Sequence, residues 1–359
     1  MKAKFKCVVF GGSSPEHDIS IITGMQLSKN LGGKYPLQKI YLGLDNNFYL
    51  ATGIENLNYF SNKQNIKLKQ VVFLNGAVYK ISPIFKKLFD VECVFNCCHG
   101  GVGENGDLAG FFNVNHIKYT SAGCLSSHIA MDKALTKQLL KDKVNVVDGI
   151  EINYNNKSEA FKFVEQNLSN ELIVKPNALG SSIGVKACSK DDYVEQVEAI
   201  FLMHDTALVE NRIVEMEEFN QACFVCNGEL VLSAIENPIS KSKFLTFDEK
   251  YNGGSKKGTD RILPAKISKA LEQEISSSTK TIYSTLNMSG VVRVDYIFDK
   301  STKKLYFNEV NTIPGSMAFY LYEPVGIDYI TLCEKLSANL TEEKEYSYFD
   351  TKVLSKKLL

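Results

Sequence analysis

Arg293, Asp295, Glu309 and Asn311 fall within one stretch, GVVRVDYIFDKSTKKLYFNEVNTIPG, residues 290–315. Residues 291–298 and 305–311 each alternate on a two-residue period on either side of a polar DKSTKK turn, which predicts a β-hairpin. Side chains two apart on a strand point the same way, about 7 Å from each other, so Arg293 shares a face with Asp295, and Glu309 shares one with Asn311. Two carboxylates and an amide oxygen are hard ligands that suit Mg²⁺, a cation that takes one or two protein carboxylates and completes its shell with water and phosphate oxygens. The planar fork of an arginine beside them suits a phosphate or a developing oxyanion. A solvated edge hairpin could carry the same acids. What distinguishes this one is the run from Glu-x-Asn straight into Thr-Ile-Pro-Gly, a turn able to present backbone N–H groups to an anion.

A second stretch that could do chemistry is ELIVKPNALGSSIGVKACS. An apolar strand delivers Lys175 ahead of Pro176, and the small-residue loop at 178–184 offers N–H and hydroxyl donors that can wrap a phosphate, with Lys175 as a point charge. A Gly/Ser loop alone also fits a plain flexible connection. Glu16 and His17 follow the first strand, and His99 and Glu104 follow a later one within CCHGGVGENGDLAGFF. Both pairs sit at strand C-terminal ends, where open α/β sheets bind ligands. Taken singly, Glu16 also reads as a carboxylate complementing a helix N-terminus, and His99 as a packed or solvated imidazole.

These side chains need a scaffold. Residues 6–10 read as a buried strand, followed by GGSSPEHD and a helix whose apolar stripe is Ile19, Ile22, Leu27 and Leu31, a βα unit of a doubly wound sheet. Its turn lacks the spacing of a nicotinamide-binding fingerprint, and no P-loop motif occurs in the chain. Strands follow at KIYLGLD, NFYLAT and residues 91–97. The stretch TSAGCLSSHIAMDKALTKQLLKD reads as a crossover into a helix, after which short strands and small helices prevail. The polar, glycine-rich FLTFDEKYNGGSKKGTDRILPA has no periodicity and is long for a connection, as an active-site lid would be. A helix near 266–286 leads into the hairpin, and a last helix is expected near 328–344.

Composition narrows the class further. A chain of 359 residues exceeds one ordinary core and predicts two or three domains. Lys plus Arg and Asp plus Glu are both 41, so overall charge points neither to nucleic acid nor to an anionic membrane. Apolar runs such as CVVF and ELIV are strand-sized, far below a membrane span, and MKAKFKCVVFGG reads as a first strand and not a signal peptide. Nine scattered cysteines, an odd number, suit a reducing cytosol. Cys97-Cys98 and Cys223-x-x-Cys226 read as core thiols, since strand residues three apart face opposite sides.

In order along the chain, VVFGGSSPEHDIS, HGGVGENGDLAGFF, MDKALTK, LIVKPNALGSSIGV, VENRIVEMEEF, FDEKY and VVRVDYIFD through NEVNTIPG resemble the D-alanine–D-alanine ligase family of ATP-grasp enzymes. The resemblance implies an α/β fold, α+β in the ATP-binding part. It has an N-terminal, Rossmann-like domain with a doubly wound parallel sheet (1–121), and a central (122–213) and a C-terminal (214–359) ATP-grasp domain that hold ATP between two antiparallel sheets. Carried over by motif, Lys133 and Lys175 contact the nucleotide phosphates with Ser182 in the same site, and Glu210 faces adenine. Glu218 binds the ribose, with Glu217 as competitor because this segment is one residue longer than the usual pattern. Asp295, Glu309 and Asn311 match ligands of two Mg²⁺ ions, with Mn²⁺ able to substitute. Arg293 and the Gly315 N–H match the donors to a tetrahedral oxyanion. Glu16 would hold the first D-alanine's ammonium, linked through Ser181 to Tyr251, with His99 near its carboxylate.

The implied activity is ligation of two D-alanines through an acyl phosphate for peptidoglycan synthesis, by a cytoplasmic homodimer. Relatives that make an ester with D-lactate lack a Tyr at the position of Tyr251, so its presence favours an amine nucleophile. The chain departs from the pattern after the Asn-Thr turn. Where many members carry small hydroxyls near the second substrate's carboxylate, it reads P-G-S-M-A-F-Y-L, with Tyr320 at a usual Ser position, Leu321 beside it and Ser316 as a substitute donor. Altered affinity for the second amino acid is expected, and a ligase with a different second amino acid is the alternative. A non-catalytic nucleotide-binding protein is a further one, against which the retained Arg293, Asp295, Glu309 and Asn311 argue.

Overall fold

The computed structural model describes residues 4–61, 67–239 and 261–342. The N-terminal part contains β1 (Lys4–Gly11), α1 (His17–Leu31), β2 (Leu37–Leu42), β3 (Phe48–Leu50), β4 (Lys69–Leu74), β5 (Ala77–Lys80), β6 (Lys86–Asn96), α2 (Gly101–Glu104) and α3 (Asp107–Val114). Strand β1 pairs parallel with both β2 and β6. Its alternating side chains feed two cores: Val8 and Phe10 join Met25, Leu27 and Leu31 of α1, while Cys7 and Val9 join Leu108, Ala109 and Phe112 of α3. Helices therefore cover both faces, as a doubly wound sheet requires. The sheet is parallel only across these three strands, however. From β2 to β6 it continues through β3, β4 and β5 in antiparallel pairing and closes on itself.

The buried stripe of α1 also differs from the expected one. Ile21, Leu27 and Leu31 are buried together with Ser20, Thr23, Gly24 and Ser28, while Ile22 is 48% exposed. Close packing explains the shift. A Cβ on Gly24 would stand 2.5 Å from the Phe10 Cβ, so the inward face is built from small residues that an apolar pattern passes over.

Next come α4 (Cys124–Met131), α5 (Lys133–Leu140), β7 (Gly149–Asn153), α6 (Lys157–Asn167), β8 (Glu171–Pro176), β9 (Lys186–Ser189), α7 (Tyr193–Phe201) and β10 (Thr206–Asn211). The strands form an antiparallel sheet in the order β7-β10-β8-β9 with a core of its own, including Ile152, Val164, Leu172, Val197 and Val209. Ala130 of α4 and Leu140 of α5 instead join the core under the C-terminal sheet. Asp132 caps α5, its side chain accepting the Leu135 N–H at 2.9 Å.

The C-terminal part comprises β11 (Met216–Cys226), β12 (Glu229–Pro238), β13 (Arg261–Ile262), α8 (Lys269–Thr285), β14 (Val292–Asp299), β15 (Lys304–Asn311), α9 (Phe319–Tyr322) and α10 (Tyr329–Ala338). Its antiparallel sheet runs β13-β12-β11-β14-β15. The predicted hairpin is β14–β15, its turn held by the Asp299 carboxylate, which accepts the Ser301 and Thr302 hydroxyls at 2.6 and 2.7 Å. Helix α10 stops well short of residue 344, because Thr341 leaves to pair its backbone with Tyr119 of the N-terminal part. Phe224, Tyr322 and Leu332 share one core with Val8 and Phe10, so the two outer parts are packed together. Cys97, Cys98, Cys223 and Cys226 are buried free thiols.

Candidate active site

A cleft of about 700 Å³ lies between the two antiparallel sheets and is lined by side chains from all three parts of the chain. Its size is that of a small-molecule site. On β14, Arg293 donates Nε–H to Asp295 Oδ1 at 2.7 Å and Nη2–H to Oδ2 at 2.8 Å, a bidentate pair. Directly across the ladder stand Asn311, opposite Arg293, and Glu309, opposite Asp295. Asn311 donates its amide to Asp295 Oδ2 at 2.9 Å, which orients its own Oδ1 away from the aspartate.

Plain alternation on β15 would put Glu309 on the same face as buried Leu305 and Phe307. A bulge prevents this: Tyr296 pairs with Phe307 and Asp295 with Glu309, leaving Asn308 as an extra residue. The strand's parity flips there, so Val310 stays inside while Asn308, Glu309 and Asn311 all line the cleft. Among the described residues, no group of three or more His, Cys, Asp and Glu side chains could hold a metal. The hairpin set passes a different test: two carboxylates and an amide leave most of a cation's shell to water and phosphate oxygens, which is how Mg²⁺ is usually bound.

Facing the hairpin is a cluster of buried lysines. Lys133, at the start of α5, donates to the Leu179 carbonyl at 2.7 Å and lies 3.7 Å from Glu309 Oε2. Lys175 pairs with Glu210 Oε2 at 2.6 Å, and Lys137 pairs with Glu210 Oε1. Burial alone would raise the Glu210 carboxyl, but the two ammonium groups hold it down at about 2. Burial pulls Lys137 down to about 8 against the attraction of Glu210. Sequence reasoning missed Lys137. It sits four residues beyond Lys133, on the same face of α5, and that spacing was the available signal. Glu218 lines the cleft, whereas Glu217 is exposed and lies 3.7 Å from Lys300.

At the end nearest the N-terminal part, the Ser181 hydroxyl donates to Glu16 Oε1. Ser181 and Ser182 both have positive φ, 54° and 60°, in a tight turn that lines the cleft. Gly100 and Gly180 crowd the Glu16 carboxylate so closely that a Cβ on either would come within 3 Å of Oε2. His99 is buried, with Nε2 2.9 Å from Thr23 Oγ1, and desolvation drops its pKa to about 4, so it is neutral. Glu104 goes the other way. Burial, helped by the charge of Glu16, lifts it to about 7, although it accepts backbone N–H bonds from Gly100 and Ile313. Tyr251 and most of the expected lid lie outside the described residues.

Both hydroxyls suggested for the second substrate already have protein acceptors. Tyr320 donates to Glu236 Oε2 at 3.1 Å, with the Arg261 guanidinium stacked 4.4 Å over its ring and itself 3.2 Å from Glu236 Oε1. Ser316 donates to Gln26 Oε1 at 2.6 Å. Leu321 is fully buried in the core shared with α10, so its side chain does not reach the cleft. Glu236 and Arg261 went unread in the sequence, because they come from β12 and β13 and meet Tyr320 only through tertiary packing. Gly315 lines the cleft near the end of the turn that leaves the hairpin.

Two antiparallel sheets closing on a cleft with clustered lysines on one side and paired carboxylates on the other constitute the ATP-grasp architecture. Residues 6–122 match the model for the D-ala D-ala ligase N-terminus, and residues 144–337 the model for the D-ala D-ala ligase C-terminus. The D-alanine--D-alanine ligase of Thermosipho melanesiensis is 31% identical over 98% of both chains. That of Helicobacter pylori strain 26695 is 32% identical over 93% of both. Among solved structures, the D-alanine-D-alanine ligase from Helicobacter pylori aligns with a TM-score of 0.78 at 28% identity, covering 95% of this chain and all of that one. The VanG D-Ala:D-Ser ligase from Enterococcus faecalis aligns at 0.82 and 27%, covering 94% and 99%. The chain belongs to the D-alanine–D-alanine ligase family.

Proposed function

We propose that this chain joins two D-alanines into D-alanyl-D-alanine in an ATP-dependent reaction that serves peptidoglycan precursor synthesis. A carboxylate is a poor electrophile. In this reading a carboxylate oxygen of the first D-alanine attacks the γ-phosphorus of ATP, ADP departs with the bridging electron pair, and an acyl phosphate forms by a transfer that depends on alignment and charge neutralisation. The amine of the second D-alanine then attacks the acyl carbon, loses a proton, and phosphate leaves with its electron pair.

Lys133 and Lys175 neutralise phosphate charge, with Ser182 in the wrapping loop, and Glu210 and Glu218 face adenine and ribose. Asp295, Glu309 and Asn311 hold Mg²⁺, two ions in this reading with Mn²⁺ as a substitute, and the metal supplies charge neutralisation at the terminal phosphates. Arg293 and the Gly315 N–H stabilise the tetrahedral oxyanion, a contribution of about 3 kcal/mol per donor. Glu16 holds the first ammonium, with Ser181 leading on to Tyr251, and neutral His99 lies beside the first carboxylate. Residues 1–121, 122–213 and 214–359 are taken as the three domains of a cytoplasmic homodimer.

The observation that carries this reading is the hairpin quartet set against Lys133 and Lys175 in a chain that aligns with such ligases over almost its whole length. The test is ADP and phosphate release from ATP, Mg²⁺ and D-alanine alone, with the dipeptide identified as product. Absence of turnover would sink it. A second reading, with D-serine as the second amino acid, is favoured by the Tyr320–Glu236–Arg261 grouping and by the likeness to a D-Ala:D-Ser ligase. Turnover of D-alanine mixed with D-serine exceeding that of D-alanine alone would select it.

A further inference from the structure

The exit turn of the hairpin is held from outside its own domain. Glu104 Oε1 accepts the backbone N–H groups of Thr312 and Ile313, both at 3.1 Å, while its Oε2 accepts the Gly100 N–H at 2.9 Å. The Thr312 hydroxyl adds a bond to the Glu104 carbonyl at 3.3 Å. At the far end of the turn, Ser316 donates its N–H to Thr23 Oγ1 at 3.3 Å and its hydroxyl to Gln26. Between and just beyond these anchors lie Gly315 and three consecutive non-glycine residues of positive φ, Ser316, Met317 and Ala318. Left-handed backbone costs roughly 1–2 kcal/mol per residue, so a turn of this kind keeps its shape only where its surroundings impose it.

We propose that Glu104 is a positioning residue for acyl transfer: by clamping the Thr312 and Ile313 N–H groups to the N-terminal domain, it sets where the Gly315 N–H points. The inference rests on the ligase reading, in which that N–H meets the oxyanion. Glu104 spends both carboxylate oxygens on backbone N–H groups, so in this role its removal spares ground-state binding and weakens the transition state. Glutamine in its place keeps one acceptor oxygen but sets an NH₂ group against the Gly100 N–H. Aspartate keeps both acceptor oxygens and withdraws them by one methylene.

The test measures kcat, the KM for ATP, thermal unfolding and the affinity of a phosphinate mimic of the tetrahedral intermediate for wild type, Glu104→Gln and Glu104→Asp. Expected for Glu104→Gln is at least a tenfold loss in kcat and in mimic affinity, with the KM for ATP within twofold and unfolding near that of wild type. Glu104→Asp should fall between. Values of kcat and mimic affinity within twofold of wild type in Glu104→Gln would overturn the inference, as would a joint collapse of kcat, ATP binding and stability in both variants. A wild-type protein inert toward D-alanine would overturn the ligase reading and the inference with it.

Discussion

Replacement of Arg293 by alanine separates two roles of that side chain. In the structure the guanidinium spends Nε and Nη2 on Asp295, at 2.7 and 2.8 Å, from a position on the cleft wall. In the proposed mechanism it donates to the oxyanion, a contribution of about 3 kcal/mol, so its loss should lower kcat by about 100- to 1,000-fold. As a partner of Asp295 its loss acts in the opposite direction on metal. The carboxylate keeps only the Asn311 amide at 2.9 Å, and the nearest cation competing with Mg²⁺ is gone. The Mg²⁺ concentration for half-maximal rate should therefore fall or stay level while kcat drops. Arg293→Lys restores a charge but not the fork and should recover only part of the rate. ADP release, followed at saturating D-alanine while ATP and Mg²⁺ are titrated in turn, reads all three quantities. A kcat within threefold of wild type in Arg293→Ala would refute the reasoning. So would a KM for ATP that rises as steeply as kcat falls, since the arginine would then act on ground-state nucleotide.

Tyr320→Ser removes a ring that Arg261 stacks on and a hydroxyl that Glu236 accepts, and restores the usual small hydroxyl, so the ratio of kcat/KM for D-serine over D-alanine as second substrate should fall by about tenfold, the usual scale for one pocket contact; competition assays with both amino acids would detect it. His99 supplies a pH signature. Its folded pKa of about 4 lies below the unfolded value of 6.5, so the native state resists protonation, and the stability it confers is complete above pH 6.5 and lost as pH falls from there toward 4. Between pH 7 and pH 5 the loss is about 2 kcal/mol, and urea unfolding of His99→Gln should show a correspondingly smaller drop across that interval; equal drops would remove this account.

The hairpin was legible because strand alternation and a polar turn are local properties, and its four polar residues do converge. The bulge at Asn308 was not, since pairing register depends on the neighbouring strand, and it is the bulge that turns Glu309 away from the face of Leu305 and Phe307. Helix α1 was found but its inward face was misjudged, because close approach at Gly24 selects small residues over large apolar ones. The antiparallel strands that close the N-terminal sheet follow from hydrogen bonding among short segments whose composition does not distinguish parallel from antiparallel. Lys137 carried a readable spacing. Glu236 and Arg261 carried none, since they reach Tyr320 from separate strands.

The distribution of cores has a mechanical consequence. The outer parts share one apolar interior, and α4 and α5 are rooted under the five-stranded sheet, but the four-stranded sheet and its two helices bury an apolar core of their own and meet α5 and the N-terminal part through polar contacts, Lys137 with Glu210 and Ser181 with Glu16. Residues 149–211 are thus joined to the rest of the molecule by breakable polar bonds and not by a shared apolar interior. The opposite jaw, with the hairpin and its turn, shares its interior with the N-terminal part and is the more firmly seated of the two.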